Sequence, residues 1–179
     1  MEVFISRDQI FEKVNDLAAQ IKTDYENENP LLVGALKGSF IMMSDLVRAL
    51  DIPLEVDFLS VSSYGAETES SGRIELRQDL KTSVENRHVL LVEDIVDTGH
   101  TLDYILRNFA ARKPASVRVA TLLNKPSRRE VEVPVDFIGF EVPNEFVLGY
   151  GLDFVEQYRN IPFIGVLKPE VYQNAIDEE

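Results

Sequence analysis

The residues best suited to carry chemistry lie in residues 89–102, where an apolar run ends in acidic and hydroxyl side chains. Two adjacent acids, Glu93 and Asp94, follow the apolar residues, and Asp97 comes three positions after Asp94. A Thr-Gly-His-Thr sequence then leads into a segment with helical periodicity. Glycine lets a backbone turn tightly against a ligand, and a helix start attracts phosphate through its free amides. The pattern predicts a phosphate site beside carboxylates that hold sugar hydroxyls or Mg²⁺.

A simpler interpretation of the same residues is structural. Asp97 or Thr98 would then only cap the following helix, and Glu93 and Asp94 would only be solvated. This alternative suits an arbitrary strand-to-helix turn, but it leaves unexplained why an acid pair directly precedes Asp-Thr-Gly-x-Thr. Two other common nucleotide-binding sequences, Gly-x-x-x-x-Gly-Lys-Ser/Thr and Gly-x-Gly-x-x-Gly, do not occur in the sequence.

Hydrophobic periodicity predicts the elements that position these residues. Short apolar runs are typical of buried strands, and apolar residues at three- and four-residue spacing are typical of helices. Ser6 and Gln9 predict a capping box at the start of the first helix. Further helices are expected over residues 39–50 and after residue 100. Strands are expected at residues 31–36, 54–61, 88–96, 117–123, 137–142 and 161–167, with a weaker return strand at 74–78 after a polar loop at 62–72.

Strands that alternate with helices imply a doubly wound, mostly parallel α/β sheet. Ligands of such sheets bind beyond the carboxyl ends of the strands. The loops after Leu36, Val96 and Leu123 are therefore expected to lie near one another. These three loops carry most of the residues with chemical potential, which predicts one site at one edge of the sheet.

The amino-acid composition limits the kinds of binding partner and the cellular location that can be expected. The chain has 18 basic and 31 acidic residues and a formal net charge of −13, which does not favour binding to a nucleic acid backbone. Its 179 residues predict a single domain. The first residues lack the pattern of a signal peptide, and no apolar run approaches the roughly 18 residues that span a membrane. The absence of cysteine fits a cytoplasmic location.

Residues 89–102 closely resemble the phosphoribosyl-pyrophosphate signature of type I phosphoribosyltransferases. Together with other segments between residues 31 and 159, they resemble hypoxanthine(-guanine) phosphoribosyltransferase in particular. The resemblance implies the type I phosphoribosyltransferase fold, with helices on both faces of the sheet and a small hood formed by the terminal segments. It implies a purine-salvage enzyme that transfers the phosphoribosyl group of 5-phosphoribosyl-1-pyrophosphate to N9 of hypoxanthine or guanine. Mg²⁺ is the implied cofactor, and a dimer or tetramer is the implied assembly.

The resemblance also assigns roles in binding the phosphoribosyl donor. Lys37 and Gly38 match a pyrophosphate loop in which the Leu-Lys peptide can be cis. Ser63 and Tyr64 match a mobile loop that closes over the reaction centre. Glu93 and Asp94 match acids that hold the ribose hydroxyls and the metal. The backbone that faces the 5-phosphate is matched by Thr98, Gly99, His100 and Thr101. His100 stands where relatives often have Lys or an apolar residue, and little change in chemistry is expected from it.

The remaining roles concern the purine base and the leaving group. Asp97 matches the general base near purine N7. Lys125 matches the donor to the 6-oxygen, which suits an ammonium because it only donates hydrogen bonds. Phe146 matches the aromatic ring that stacks on the purine, and Val147 the residue whose backbone pairs with its edge. Asp153 matches a metal-ligating acid and Arg159 an arginine that contacts pyrophosphate.

Two other functions remain open from the sequence. The first is an enzyme of the same fold that acts on xanthine or a pyrimidine, which would differ in the residues that contact the base. A non-catalytic regulator of the same fold would bind RNA or DNA. The pairing of Lys125 with Phe146 and Val147 favours a 6-oxopurine, and the excess of acidic residues disfavours the regulator.

Overall fold

The computed structural model describes residues 1–64 and 73–167 of the chain. Their elements, in chain order, are β1 (Glu2–Ile5), α1 (Arg7–Tyr25), β2 (Leu31–Leu36), α2 (Phe40–Ala49), β3 (Glu55–Tyr64), β4 (Arg73–Gln78), β5 (His88–Val96), α3 (His100–Ala110), β6 (Ser116–Asn124), a 3₁₀ turn (Pro126–Arg128), β7 (Phe137–Glu141), β8 (Val147–Leu148) and β9 (Ile164–Val166). The predicted capping box is confirmed, because Ser6 Oγ accepts the Gln9 amide and the Gln9 side chain accepts the Ser6 amide.

A six-stranded sheet in the order β4-β3-β2-β5-β6-β7 forms the centre of the fold. Neighbouring strands are parallel from β3 to β7, and only β4 runs antiparallel to its neighbour β3. The mostly parallel sheet predicted from the sequence is therefore confirmed. The strand order changes direction between β2 and β5. Ligands of open α/β sheets bind at such a switch point.

Apolar residues of the central strands alternate between the two faces of this sheet. On one face Leu32 and Leu90 pack with α1 and α2 in a first core. On the other face Leu31 and Leu91 pack with α3 in a second core. Because both faces are covered, β2 and residues 89–92 of β5 are continuous apolar runs rather than alternating ones. The prediction of helices on both faces is confirmed.

The terminal segments form a second, smaller sheet in the order β1-β9-β8, with antiparallel pairing throughout. It is the hood that the resemblance implied. Its strands are only 2–4 residues long, too short for a period-two pattern to predict. Strand β9 is also shorter than the predicted residues 161–167, because the Ile161 carbonyl accepts the Tyr150 amide instead of joining the sheet.

The predicted polar loop at residues 62–72 begins later than expected. Strand β3 continues to Tyr64, and its end pairs with β4, with Ser62 opposite Glu75. The predicted hairpin is thus correct and its strands are longer than predicted, because polar residues pair readily in an edge hairpin. The tip, residues 65–72, lies outside the described residues. None of the helices within residues 1–64 and 73–167 is long and apolar enough to cross a membrane.

Candidate active site

A cavity of about 310 Å³ opens where the carboxyl ends of β2 and β5 meet; it is called the central cavity below. One wall is the loop after β2, which includes Leu36 and Gly38. The other wall is the end of β5 and the start of α3. From this wall come the predicted site residues Glu93, Asp94, Asp97, Thr98, Gly99 and Thr101. The fold therefore gathers residues from two strand ends, as the predicted sheet required.

The loop after β2 packs tightly against the acid pair. The Leu36–Lys37 peptide is cis, as the resemblance allowed. A Cβ atom on Gly38 would lie 1.6 Å from Asp94 Oδ2, so only a residue without a side chain fits there. Ser39 is fully buried, and its hydroxyl donates to the Ala35 carbonyl oxygen at 2.7 Å. The loop is thus held directly over the acids at the end of β5.

Glu93 and Asp94 are unusual carboxyl groups because the fold removes water from them. Burial raises the pKa of Glu93 well above its ordinary value, and the charge of Asp94 adds to the rise. Burial also raises the pKa of Asp94 to about 6, although backbone amides and Arg159 lower it in part. Glu93 Oε1 is buried without a hydrogen-bond partner in the described part of the chain. Perturbed carboxyl groups with an unused oxygen are typical of ligand sites.

The Thr-Gly turn after β5 is held from outside by residues that follow β6. Gly99 is the N-cap of α3 and has a φ of +94°, a conformation that glycine adopts without strain. The Thr98 carbonyl oxygen accepts two amides, from Glu130 at 2.9 Å and from Val131 at 3.1 Å. His100 Nε2 lies 2.8 Å from Glu130 Oε2, so its ring turns to this neighbour. The first-turn amides of α3 have no partner within the helix, which makes this helix start suited to an anion.

Asp97 lies between two cations that come from the end of β6. Its Oδ2 is 3.9 Å from Lys125 Nζ, and its Oδ1 is 3.1 Å from Arg128 Nε. The Arg128 contact is an ion pair only, because Asp97 Oδ1 is buried and has no hydrogen-bond partner within the described residues. A carboxylate with an oxygen free to accept is the form that a general base requires.

Lys125 is a buried cation, which is rare for lysine. Its Nζ donates to the Glu145 carbonyl oxygen at 2.8 Å. Burial lowers the pKa of Lys125, while Asp97 raises it in part. An ammonium has three donors, and within the described residues Lys125 Nζ makes one hydrogen bond, so donors remain for a ligand. The structure thus brings Lys125 and Asp97 together, as expected of a base-binding pair.

The segment after Glu145 places the two predicted base-contacting residues side by side. Phe146 is partly buried, and its ring meets that of Phe154 edge to face, with centroids 5.7 Å apart. Val147 is buried in β8, where it pairs with Val166 of β9. Val147 is therefore a core residue, and its predicted backbone contact with the base stays a prediction.

Asp153 and Arg159 form an ion pair at the edge of the same region. Arg159 Nη2 lies 2.9 Å from Asp153 Oδ1, and Arg159 Nη1 donates to the Gly151 carbonyl oxygen at 2.8 Å. The backbone of Gly151 approaches the Gly38 carbonyl so closely that a Cβ atom would lie 2.0 Å from it. Both predicted residues are thus next to the predicted pyrophosphate loop.

Ser63 and Tyr64 lie at the end of β3, near the rim of the central cavity, whose wall includes Val61. Their side chains are outside what the structure describes, so their predicted closing role stays a prediction.

Comparison with known proteins identifies the chain. A family model described as phosphoribosyl transferase domain matches residues 6–155. A hypoxanthine-guanine phosphoribosyltransferase of Bacillus subtilis is 50% identical over 173 residues, which cover 97% of this chain and 96% of that protein. The chain therefore belongs to the hypoxanthine-guanine phosphoribosyltransferase family. The matched region includes every predicted site residue of this family except Arg159.

Two further relatives of the family agree. A hypoxanthine phosphoribosyltransferase from Staphylococcus aureus, solved by crystallography, superposes with a TM-score of 0.91 and 46% identity, covering 96% of this chain and 93% of that one. The bifunctional protein TilS/HprT of Listeria monocytogenes is 52% identical over 171 residues. These residues are 96% of this chain but 26% of that protein, so the chain spans about a quarter of the bifunctional relative's length.

The carboxylates of the site fit Mg²⁺ better than they fit a dedicated metal cage. Among the described residues, no group of three or more His, Cys, Asp or Glu side chains is arranged to hold a metal. Mg²⁺ usually needs only one or two carboxylates, because waters and substrate oxygens complete its octahedron. Glu93 and Asp94 offer such oxygens within the central cavity, and Asp153 offers another beside Arg159.

Sequence reasoning missed three charged residues of the site. Arg128 contacts Asp97. The Arg129 guanidinium lies beside Gly99 and donates a hydrogen bond to Asn124 Oδ1. Glu156 contacts both Lys37 and Arg159. Arg128 had a usable signal in the sequence. Pro126 starts a 3₁₀ turn, and such a turn brings Arg128, three positions after Lys125, back beside it. The sequence gives no such signal for Glu156, because its partner Lys37 is 119 positions away.

Proposed function

We propose that this chain is a purine-salvage enzyme with hypoxanthine-guanine phosphoribosyltransferase activity. It transfers the phosphoribosyl group of 5-phosphoribosyl-1-pyrophosphate to N9 of hypoxanthine or guanine, and releases IMP or GMP with pyrophosphate. One observation carries the choice of base. The ammonium of Lys125 is buried, only donates hydrogen bonds, and lies 3.9 Å from the carboxylate of Asp97. This pair suits a base whose 6-oxygen can accept a hydrogen bond from Lys125 and whose ring can lose a proton to Asp97.

The phosphoribosyl donor would bind across the switch point of the sheet. The amides from Thr98 to Thr101 receive the 5-phosphate at the positive end of α3. Glu93 and Asp94 accept the ribose hydroxyls. Lys37, Gly38 and Arg159 surround the pyrophosphate. Mg²⁺, held by Glu93, Asp94 and Asp153 with water, would spread the negative charge of the leaving group.

The purine would lie between the ring of Phe146 and the ribose. Purine N9 attacks ribose C1 while the bond from C1 to the pyrophosphate oxygen breaks. Asp97 accepts the proton that the purine ring loses, and Lys125 holds the 6-oxygen. The backbone of Val147 positions the edge of the base. Closure of the loop carrying Ser63 and Tyr64 excludes water, which would otherwise attack the activated ribose.

A turnover assay with each base tests the function directly. Pyrophosphate release is measured with hypoxanthine, guanine, xanthine, adenine and uracil, with and without Mg²⁺. Activity limited to hypoxanthine and guanine, and dependent on Mg²⁺, is expected. Release with xanthine or uracil alone would assign a different base. Salt-sensitive RNA binding without any release would instead point to a regulator.

The role of Asp97 is tested by Asp97→Asn, which keeps the shape and removes the basic oxygen. General base catalysis contributes about 10²–10⁴-fold, so kcat should fall by about that factor while the affinity for pyrophosphate stays the same. Circular dichroism and a thermal melt control for folding. An unchanged kcat in a folded variant would rule out Asp97 as the base.

The setting of the enzyme belongs to the same proposal. The 179 residues form a single phosphoribosyltransferase domain that works in the cytoplasm. The protein forms a dimer or tetramer, with α1 and α2 as the contact surface. The exposed rings of Phe11 and Phe40 on these helices support this choice. Sedimentation velocity of the full chain measures the assembly.

A further inference from the structure

A small ion cluster connects the two segments proposed to hold pyrophosphate. Glu156 Oε2 lies 2.7 Å from Lys37 Nζ and 3.5 Å from Arg159 Nη2. Lys37 belongs to the loop after β2, and Arg159 lies between β8 and β9. One carboxylate thus contacts both cations that the proposed function assigns to the leaving group.

The backbone that presents Glu156 is strained. Phe154 and Gln157 form a two-residue hairpin in which each amide donates to the other's carbonyl oxygen, at 3.1 and 3.0 Å. The two residues at its tip, Val155 and Glu156, have φ values of +51° and +60°. Such turns normally use Asn and Gly, and a β-branched residue with positive φ is an outlier. The Glu156 amide also donates to Asp153 Oδ2 at 2.9 Å, which fixes the turn on the acid that pairs with Arg159.

Packing of apolar side chains does not compensate for the strain of this turn. Val155 is 57% exposed, so the strained conformation buries little apolar surface. Strain of this kind persists where the conformation itself serves the site. What the turn achieves is the position of Glu156, whose carboxylate reaches across to the loop after β2. The hydrogen bond from Lys37, together with the charges of Lys37 and Arg159, holds the pKa of Glu156 below its ordinary value. The group is therefore an anion at neutral pH.

We infer that Glu156 is an internal competitor of pyrophosphate: its carboxylate occupies Lys37 and Arg159 when the leaving group is absent. The inference rests on the proposed function, because it takes these two cations as the pyrophosphate ligands. Binding of the phosphoribosyl donor displaces Glu156 from both cations. After transfer, the return of Glu156 weakens the hold on pyrophosphate and speeds its release. Glu156 is thus a residue that tunes affinity for the leaving group and not a catalytic residue.

Glu156→Gln tests the inference, with inorganic pyrophosphate and MgCl₂ as the probe. The Gln amide keeps the size of the side chain and removes its charge. Removal of two exposed ion pairs that compete with the ligand should tighten pyrophosphate binding by about three- to tenfold, measured by isothermal titration calorimetry. The KM for the phosphoribosyl donor should fall by a similar factor, while the KM for hypoxanthine stays the same. The difference should shrink in 0.5 M salt because exposed charges are screened.

Two further variants control for charge and for geometry. Glu132→Gln removes another exposed charge, one that forms no ion pair among the described residues, and it should leave pyrophosphate affinity unchanged. Glu156→Asp keeps the charge but shortens the side chain, so its pyrophosphate affinity should lie between wild type and Glu156→Gln. In a Lys37→Gln background the gain from Glu156→Gln should become smaller, because one of the two contested cations is gone.

The outcomes separate this inference from the proposed function. Unchanged or weaker pyrophosphate binding by Glu156→Gln overturns the inference, because the carboxylate would then be neutral or would position the cations. A similar gain in Glu132→Gln also overturns it, since the effect would be general charge. If the wild-type protein binds pyrophosphate but transfers no phosphoribosyl group, the proposed function fails while the Glu156 comparison still decides the inference.

Discussion

Replacement of Asp94 by Asn should make the ligand-free protein more stable at neutral pH while removing its activity. The pKa of Asp94 rises from its ordinary value of 3.8 to about 6, first because the group is buried and then because Asp153 is nearby. The folded state therefore prefers the protonated carboxyl. Stability linked to this group is present below pH 3.8 and is lost as the pH rises through about 6. Asn is neutral throughout and avoids that loss.

The size of the effect follows from the pKa difference. A rise from 3.8 to about 6, at about 1.4 kcal/mol per pH unit, gives about 3 kcal/mol. Urea denaturation of both proteins at pH 4, 5, 6, 7 and 8, with a chelator present, measures the free energy of unfolding. Asp94→Asn should match the wild type near pH 4 and exceed it by about 3 kcal/mol above pH 6. The activity of the variant should be lost, since Asn has only one of the two oxygens, and none of the negative charge, that the proposed function assigns to the ribose and Mg²⁺.

The control is Asp16→Asn, which removes an exposed carboxylate of α1 and should change stability little at any pH. A less stable Asp94→Asn protein at pH 8 would refute the reasoning. So would a stability difference that does not vary with pH, because the effect would then come from packing and not from ionisation.

Two further substitutions test how the site is assembled. Lys125→Met removes a charged hydrogen-bond donor worth about 1.5–3 kcal/mol, so kcat/KM for hypoxanthine should fall by roughly ten- to a hundredfold, whereas calorimetric affinity for pyrophosphate should stay within about twofold. A larger loss for pyrophosphate than for hypoxanthine would contradict the role of Lys125. Gly38→Ala would place a Cβ atom 1.6 Å from Asp94 Oδ2, and a displacement of about 1 Å or more can cost on the order of a hundredfold in rate. Unaltered kcat/KM for the phosphoribosyl donor in Gly38→Ala would show that the loop and the acid do not act together.

The parts of the fold that sequence predicts well are those whose physics is local. Residues 89–92 of β5 form an uninterrupted apolar run because both faces of the strand are covered, and the start of α1 is marked by its capping box. The turn from Asp97 to Thr101 is equally local, since a glycine with positive φ and a helix start follow each other directly. Parallel pairing then requires the carboxyl ends of β2 and β5 to meet. For these reasons the central cavity and its acids follow from the sequence.

The remaining parts depend on contacts between distant segments. The hood strands are too short to show a period, and their pairing joins the first residues of the chain to residues 147–166. The burial of Lys125 cannot be seen locally either, because its partner is the Glu145 carbonyl oxygen, 20 positions away. In the sequence Glu156 looks like any exposed acid, and only the fold shows that it contacts Lys37. Sequence thus predicts the local groups of the site better than it predicts the contacts that distant segments make with them.

The competition proposed for Glu156 would explain how a chain with a net charge of −13 can hold a polyanion. The positive side chains of the site are already paired with carboxylates from other segments: Lys37 with Glu156, Arg159 with Asp153 and Glu156, Lys125 and Arg128 with Asp97. In the proposed function, pyrophosphate reaches Lys37 and Arg159 by replacing Glu156 and does not meet a bare positive surface. The affinity for pyrophosphate would then be the difference between the affinities of two anions for the same cations, which keeps it moderate. A moderate affinity for pyrophosphate suits a product that must leave before the next cycle, whereas a strongly basic cleft would retain it.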